Sequence, residues 1–220
     1  MKKVPILAVT LLFFLLPGTS FGGEPAENYY PLKEGLTWVY SVSSNKPGAE
    51  KITVTSLPPR QVQGKTASPR KWELPGGVKY YFIAKDGAGV YRYAEQKGDS
   101  GAPQIITPKV YYLKNPVARG TTWNTSTKLP EGDLKVNITV ESVDETVQVP
   151  AGTFKNCVKL KHQGQMQPSG GGAAPLFLTA HEWYAPGVGL VKSIFTVKQS
   201  IKGKAAAQNT IIHQLESFKQ

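Results

Sequence analysis

Cysteine is nearly absent from this chain, and Cys157 stands alone. A lone thiol cannot close an internal disulfide, so a disulfide framework is excluded and stability must come from packing. Histidine is scarce as well. His162, His181 and His213 are the full set, no two are spaced as His-x-x-x-His, and no metal or other cofactor is expected. Acidic residues are in deficit, 15 against 26 Lys and Arg. The resulting charge of +11 draws the chain to anionic surfaces, nucleic acid or acidic partners, less strongly as salt rises. Helical periodicity is missing too, and "AAAQN" from Ala205 offers one turn at most. After the N-terminus, no stretch is long and apolar enough to anchor the chain in a membrane.

The exception at the N-terminus sets a destination. Lys2 and Lys3 precede the apolar run Val4–Leu16, Pro17-Gly18 breaks it, and Ser20 and Gly22 place small residues two apart. The run falls short of the ~20 residues of a membrane span. Residues 1–22 therefore read as a cleaved secretory signal. Removing 22 of the 220 residues leaves 198, and loss of Lys2 and Lys3 takes the charge from +11 to +9. That length suffices for one domain with a real core or for two small lobes. The cysteine that a bacterial lipoprotein needs after its signal is missing. The expectation is a soluble periplasmic or secreted protein with no integral membrane segment after cleavage.

What the chain has in quantity is alternation. Leu134, Val136, Ile138 and Val140 alternate with Lys135, Asn137 and Thr139, and Phe195 and Val197 alternate with Thr196 and Lys198. Side chains on a strand point to opposite faces in turn, so such segments bury one face and wet the other. "KITVTSL" from Lys51 and "KYYFIA" from Lys79 share the β-branched and aromatic character. Turn signals separate these runs at Pro58-Pro59, Gly76-Gly77, Asp86-Gly87, Pro150-Ala151-Gly152 and Pro186-Gly187. The fold class is all-β: a strongly twisted antiparallel sheet, curved as a half-barrel or doubled as a sandwich.

The sheet also reads as two related halves. "YYPLKEGLTW" (Tyr29–Trp38) returns as "YYLKNPVARGTTW" (Tyr111–Trp123), each with a Tyr-Tyr pair and then Gly-x-Thr-Trp opening a strand. "YYFIAKDGAGVYRY" (Tyr80–Tyr93) returns as "HEWYAPGVGLVKSI" (His181–Ile194), each an aromatic strand, a glycine turn and an apolar strand. Trp123 follows Trp38 by 85 residues and Gly187 follows Gly87 by 100, so the second copy is longer by 15. "GQMQPSGGGAAP" (Gly164–Pro175) reads as a mobile surface loop that takes up most of the excess. The halves are set at 23–108 and 109–220. On this view "HEWYAPGVGLVK" is scaffold first, because its counterpart lacks His and Glu.

Three segments, "YYPLKEGLTWVY", "VPAGTFKNCVKLK" and "EWYAPGVGLVK", together resemble a family of exported bacterial proteins of unknown function. The resemblance touches both ends of the mature chain. It implies a β-rich envelope or secreted protein and carries over no catalytic residues. A more distant similarity is to the curved-sheet lipid carriers of the periplasm.

Several motifs invite chemistry. "GDSGAP" (Gly98–Pro103) looks like the nucleophile segment of chymotrypsin-like proteases, but all three histidines follow Ser100, against the His, Asp, Ser order of that family. "GKT" (Gly64–Thr66) lacks the earlier glycine of a phosphate loop, whose place is Pro59. Cys157 alternates with Lys159 and Lys161, yet a bulge at Asn156 would turn it into the core as filler. The strongest candidate is the basic segment from Asn45 to Lys71. Within it Arg60, Lys65, Arg70 and Lys71 are expected to form an exposed anion-binding patch.

No catalytic residue is assigned. The leading expectation is a non-catalytic exported binding or assembly protein that contacts an envelope protein or an anionic polymer. The first alternative is a periplasmic carrier of an apolar ligand in the concavity of the sheet, and the second is a hydrolase. A filled core with a basic rim favours the binder, an enclosed apolar cavity the carrier, and a clustered Ser100–His–Asp site the enzyme.

Overall fold

The computed structural model describes residues 23–45, 48, 50–129, 132–168, 174–201 and 204–220, with backbone alone at 128, 129, 200, 201 and 204–206. The expected signal segment, Lys46 and residues 169–173 of the expected loop lie outside the described residues. Within them stand one turn of helix, α1 (Ala26–Tyr29), and thirteen strands. The strands are β1 (Thr37–Ser44), β2 (Glu50–Ser56), β3 (Arg60–Val62), β4 (Lys65–Leu74), β5 (Gly77–Asp86), β6 (Gly89–Lys97) and β7 (Gln104–Lys114). Then follow β8 (Thr122–Leu129), β9 (Gly132–Val149), β10 (Gly152–Pro168), β11 (Leu176–Ala185), β12 (Gly189–Ile201) and β13 (Lys204–Lys219).

They form one antiparallel sheet in the order β7-β6-β5-β4-β2-β1-β13-β12-β11-β10-β9-β8, with β3 attached to β4 off this path. The sheet curls until its edges meet, so it is a barrel closed on all but one side, not a sandwich. At the seam Trp123 Nε1 donates to Tyr111 O at 3.3 Å, but no ladder joins β7 to β8.

Alternation holds where one face is wet, and β4 departs from it where β3 covers its outer side, so that Ala67 to Arg70 are buried in succession. In β1, Trp38, Tyr40 and Val42 are buried while Thr37, Val39 and Ser41 are half-buried. Residues directly opposite in a ladder share a face, so the pairs Tyr40↔Ile52, Tyr40↔Leu215 and Trp38↔Val54 carry the buried side inward across β2, β1 and β13. The lower end of the barrel is filled. There α1 and Tyr30 enter from the N-terminal side and pack with Val90, Leu113, Trp123, Val158 and Tyr184. Nearby, the tip between β9 and β10 reaches β13, where Ala151 N–H donates to Leu215 O at 2.9 Å.

The path divides into two six-stranded meanders, β1 to β7 (with β3 set aside) and β8 to β13, joined by the β1–β13 ladder. Each opens on a Thr-Trp pair after a glycine of positive φ, Gly35 at +82° and Gly120 at +88°. The local bonding repeats as well. Gly35 N–H donates to Ser56 O and Ser56 N–H returns to Leu36 O, both at 2.8 Å; Gly120 N–H donates to Val140 O and Val140 N–H returns to Thr121 O, both at 2.9 Å. The second tyrosines of the two Tyr-Tyr pairs, Tyr30 and Tyr112, stack with centroids 4.9 Å apart.

Three details differ from the sequence reading. The boundary at 108/109 falls inside β7, because Tyr111-Tyr112 continues that strand; the meanders part in the connection 115–121. Residues from Ala205 extend in β13, where ladder bonds to β12 outweigh the helix preference of three alanines. Gly164–Pro168, expected as loop, completes β10 against β9.

Cys157 is fully buried, and the bulge that turns it inward is present: Asn156 has φ +54° and the β9–β10 register shifts between Phe154 and Cys157. Burial, then the Glu145 carboxylate, pushes its thiol up to about 11, so it stays protonated and unreactive.

Candidate functional site

The four basic residues of the expected patch do not share a surface. Along β4, Arg70 and Lys71 point to opposite faces. Lys71 faces outward and is held by Glu73 at 2.8 Å. Arg60 and Lys65, on the β3–β4 hairpin, are also on the outer side. Arg60 donates to Gln96 at 3.0 Å with its guanidinium 4.6 Å from the Phe82 centroid, and Lys65 reaches the rings of Tyr91 and Tyr93. The hairpin turn between them, Gln63-Gly64 with φ of +45° and +81°, accounts for "GKT" as a two-residue turn.

Arg70 instead is 5% exposed on the inner side. Its guanidinium lies 4.0 Å from the Tyr30 centroid and 4.5 Å from that of Trp38, and Nη2 donates to Pro31 O at 2.6 Å. No carboxylate among the described residues comes within 4.0 Å, and Nε is buried without an acceptor. Two aromatic faces and one carbonyl thus replace the water shell of this cation.

Around Arg70 the floor of the barrel holds further polar groups. Tyr184 Oη donates to Glu182 Oε2 at 2.8 Å, and His162 Nε2 lies 3.2 Å from the same oxygen, off the line of a good hydrogen bond. Burial pushes the carboxyl of Glu182 up, but the His162 imidazole, the Tyr184 hydroxyl and His213 outweigh it and hold the group below the ordinary carboxylate value. Burial raises the phenols of Tyr30, Tyr40, Tyr112 and Tyr184, so all four remain donors at neutral pH. Ser193 Oγ is 3.0 Å from His213 Nδ1. Among the described residues no carboxylate lies within 4.0 Å of His213, so the pair lacks the orienting acid of a triad there. Ser100, meanwhile, sits in an exposed turn between β6 and β7.

These groups make stability pH-dependent. Burial lowers the pKa of His213, as it does that of His181, where the Lys159 charge adds to the effect. Between the folded and unfolded values the unfolded chain binds more protons, so stability falls as pH drops below about 6.5. Glu182 acts in the same direction lower down, losing its contribution as pH falls through its depressed value. Urea midpoints should therefore decline from pH 7.5 to pH 5, and His213→Asn should shallow that slope. A flat profile in the parent chain would show that these histidines titrate as in the unfolded state.

Above the floor the inner wall changes character. On β9 to β13 the ladder pairs Leu134↔Met166↔Leu176, Val136↔Gly164↔Leu178↔Val197 and Phe195↔Ile211 run across the same face. All of these apolar side chains are only half-buried. Most belong to none of the packed clusters below. The facing wall, on β5 and β6, is charged. Lys79, Glu95 and Lys97 share the inward side with Tyr81, and Arg92 stacks over Tyr81 at 5.1 Å. At the seam a cavity of about 660 Å³ opens beside the charged wall, lined by Arg92, Lys97, Ile106 and Thr127 among others, with Lys135 reaching it from the other face of β9.

The sequence reading missed this inner surface. Glu182 and Tyr184 sit within the opening motif of the second hairpin, but strand periodicity does not say which face is concave. Lys79 on β5 and Arg92 on β6 fall in strands whose aromatic content hides them, and only the register brings them to Lys97 and Tyr81.

The chain is thus an open antiparallel barrel with a filled floor and a two-sided inner surface. The model of the DUF3108-like family matches residues 124–199. A candidate lipoprotein from Parabacteroides distasonis ATCC 8503 is similar in structure, with 18% identity, a TM-score of 0.44 and coverage of 86% of this chain and 97% of that one. A candidate exported protein with a YmcC-like fold from Bacteroides fragilis NCTC 9343 shares 14% identity at a TM-score of 0.38, covering 90% of this chain and 99% of that one. No curated protein matches. Among the described residues no helix is long and apolar enough to cross a membrane, and no three His, Cys, Asp or Glu side chains gather to hold a metal.

Proposed function

We infer that this chain is a non-catalytic exported carrier that holds an apolar chain against the inner face of β9 to β13. The observation that carries the reading is the uncovered wall of Leu134, Val136, Met166, Leu178, Phe195 and Val197, half-buried on the concave side of a barrel whose floor is already packed. A twelve-strand circuit is wider than the eight strands whose side chains fill their own interior, so the upper barrel has room. Burying an acyl chain there would gain about 0.8 kcal/mol per methylene.

The test uses N-phenylnaphthylamine, an uncharged apolar dye that brightens when it leaves water. Wild type should enhance its fluorescence, and Leu178→Asp with Val197→Lys, a directly opposed pair whose charges attract, should cut the affinity by about tenfold or more with little loss of melting temperature. Absence of enhancement, or equal enhancement by the double variant, would remove the carrier reading. Contact of the outward-facing Arg60, Lys65 and Lys71 with an acidic envelope partner is a second reading. It is the weaker one, because Lys71 is already paired and Arg70 has left the group.

A further inference from the structure

The wall opposite the apolar strip breaks a rule of sheet pairing. Lys79 and Lys97 stand directly opposite each other across β5 and β6. Like charges in that relation repel. Both side chains are exposed, and neither has a carboxylate within 4.0 Å among the described residues. Next to them Arg92 reaches Glu95 only at 3.6 Å, and its Nε is buried without an acceptor. The seam cavity gathers these three cations with Lys135, against the carboxylates of Glu95 and Asp133. A sheet position that violates a local preference without compensation inside the chain points to a ligand that supplies it.

The cavity also adjoins the apolar strip. Thr127, a lining residue, is directly opposite Leu134 and shares its face, whereas Asp133 and Lys135 reach the cavity from the other face of β9. The apolar wall carries two parallel rows, Leu134-Met166-Leu176 and Val136-Leu178-Val197, set two residues apart along the strands, about 7 Å. The row from Leu134 on β9 to Leu176 on β11 crosses two strand spacings, about 10 Å, and the row from Val136 on β9 to Val197 on β12 crosses three, about 14 Å.

We propose that the ligand of this trough is a two-chain anionic phospholipid, its phosphate held by Lys79, Lys97 and Arg92 and its acyl chains laid along the two apolar rows. The proposal rests on the carrier reading for the chains and adds the head group. Phosphate oxygens accept from several donors at once, as three converging cations require. A dye or a single chain can lie on the apolar rows alone, but an occupant that also fills the charged end must replace the water of the lysines, which hydrocarbon cannot do.

The test incubates the exported full chain with vesicles of dioleoylphosphatidylglycerol, with vesicles of dioleoylphosphatidylcholine, and with oleic acid. After the vesicles are removed, bound lipid is counted by native mass spectrometry. Wild type should take up the anionic phospholipid in preference to the zwitterionic one by about tenfold, at one lipid per chain. Lys79→Gln with Lys97→Gln should erase that preference. Lys79→Glu, which turns the repelling pair into an attracting one, should erase it too while raising the melting temperature, separating the lost head-group contact from loss of fold. Equal uptake of both phospholipids by wild type would overturn the head-group assignment and leave the carrier reading standing. Uptake of oleate alone would overturn the two-chain occupant. If none of the lipids binds and the dye test also fails, the carrier reading falls with it.

Discussion

Replacing Trp38 by alanine is expected to destabilise the chain by about 3–5 kcal/mol, and Trp123→Ala by an amount at the lower end of that range. Trp38 is 1% exposed, and its Nε1 donates to Val188 O at 2.7 Å, tying the first strand of one meander to the β11–β12 turn of the other. Its ring also meets Phe218 at 5.6 Å and the Arg70 guanidinium. Trp123 is nearly as buried, but its bond to Tyr111 O is longer, at 3.3 Å, and lies at the seam where no ladder supports it. For a domain whose whole stability is about 5–15 kcal/mol, either change removes a large part. Urea denaturation at pH 7.5 measures both. Two related halves would give each tryptophan the equivalent place, so a harmless change at either would contradict that reading.

The second large effect is expected at Arg70. Arg70→Ala should cost about 3 kcal/mol, from the loss of two desolvated cation–π contacts and of the charged hydrogen bond to Pro31 O. Arg70→Met should cost much less. A buried charge without an ionic partner contributes little net stability over an apolar chain of similar length. The contrast between alanine and methionine separates packing from charge. An unchanged melting temperature in Arg70→Ala would mean that the guanidinium is solvated, as the sequence-based patch requires.

That residue also marks the limit of sequence reading. In "SPRKW" nothing distinguishes Arg70 from Lys71, since both are basic and both follow a proline. Alternation says that the two face opposite sides, but not which side is concave. Only the ladder Ser56↔Arg70↔Tyr81, together with entry of Tyr30 from a segment 40 residues earlier, makes the inner face a place where a cation meets aromatic rings.

The amino-acid sequence by itself determined the all-β class and the placement of most strands. Period-two alternation and the glycine and proline turns specify β strands joined by short connections, and the repeated Gly-x-Thr-Trp block marks where each meander begins. For Cys157 the sequence left two orientations, beside Lys159 and Lys161 or inward past a bulge at Asn156, and the bulge in the structure decides for the core. Tertiary structure alone decided closure, the inner side and the site. Curvature sums the twist of twelve paired strands, and the opposition of Lys79 to Lys97 depends on the register of β5 against β6. The separation of an apolar wall from a charged one depends on segments far apart in the chain facing each other across the barrel, and no local pattern encodes that distance.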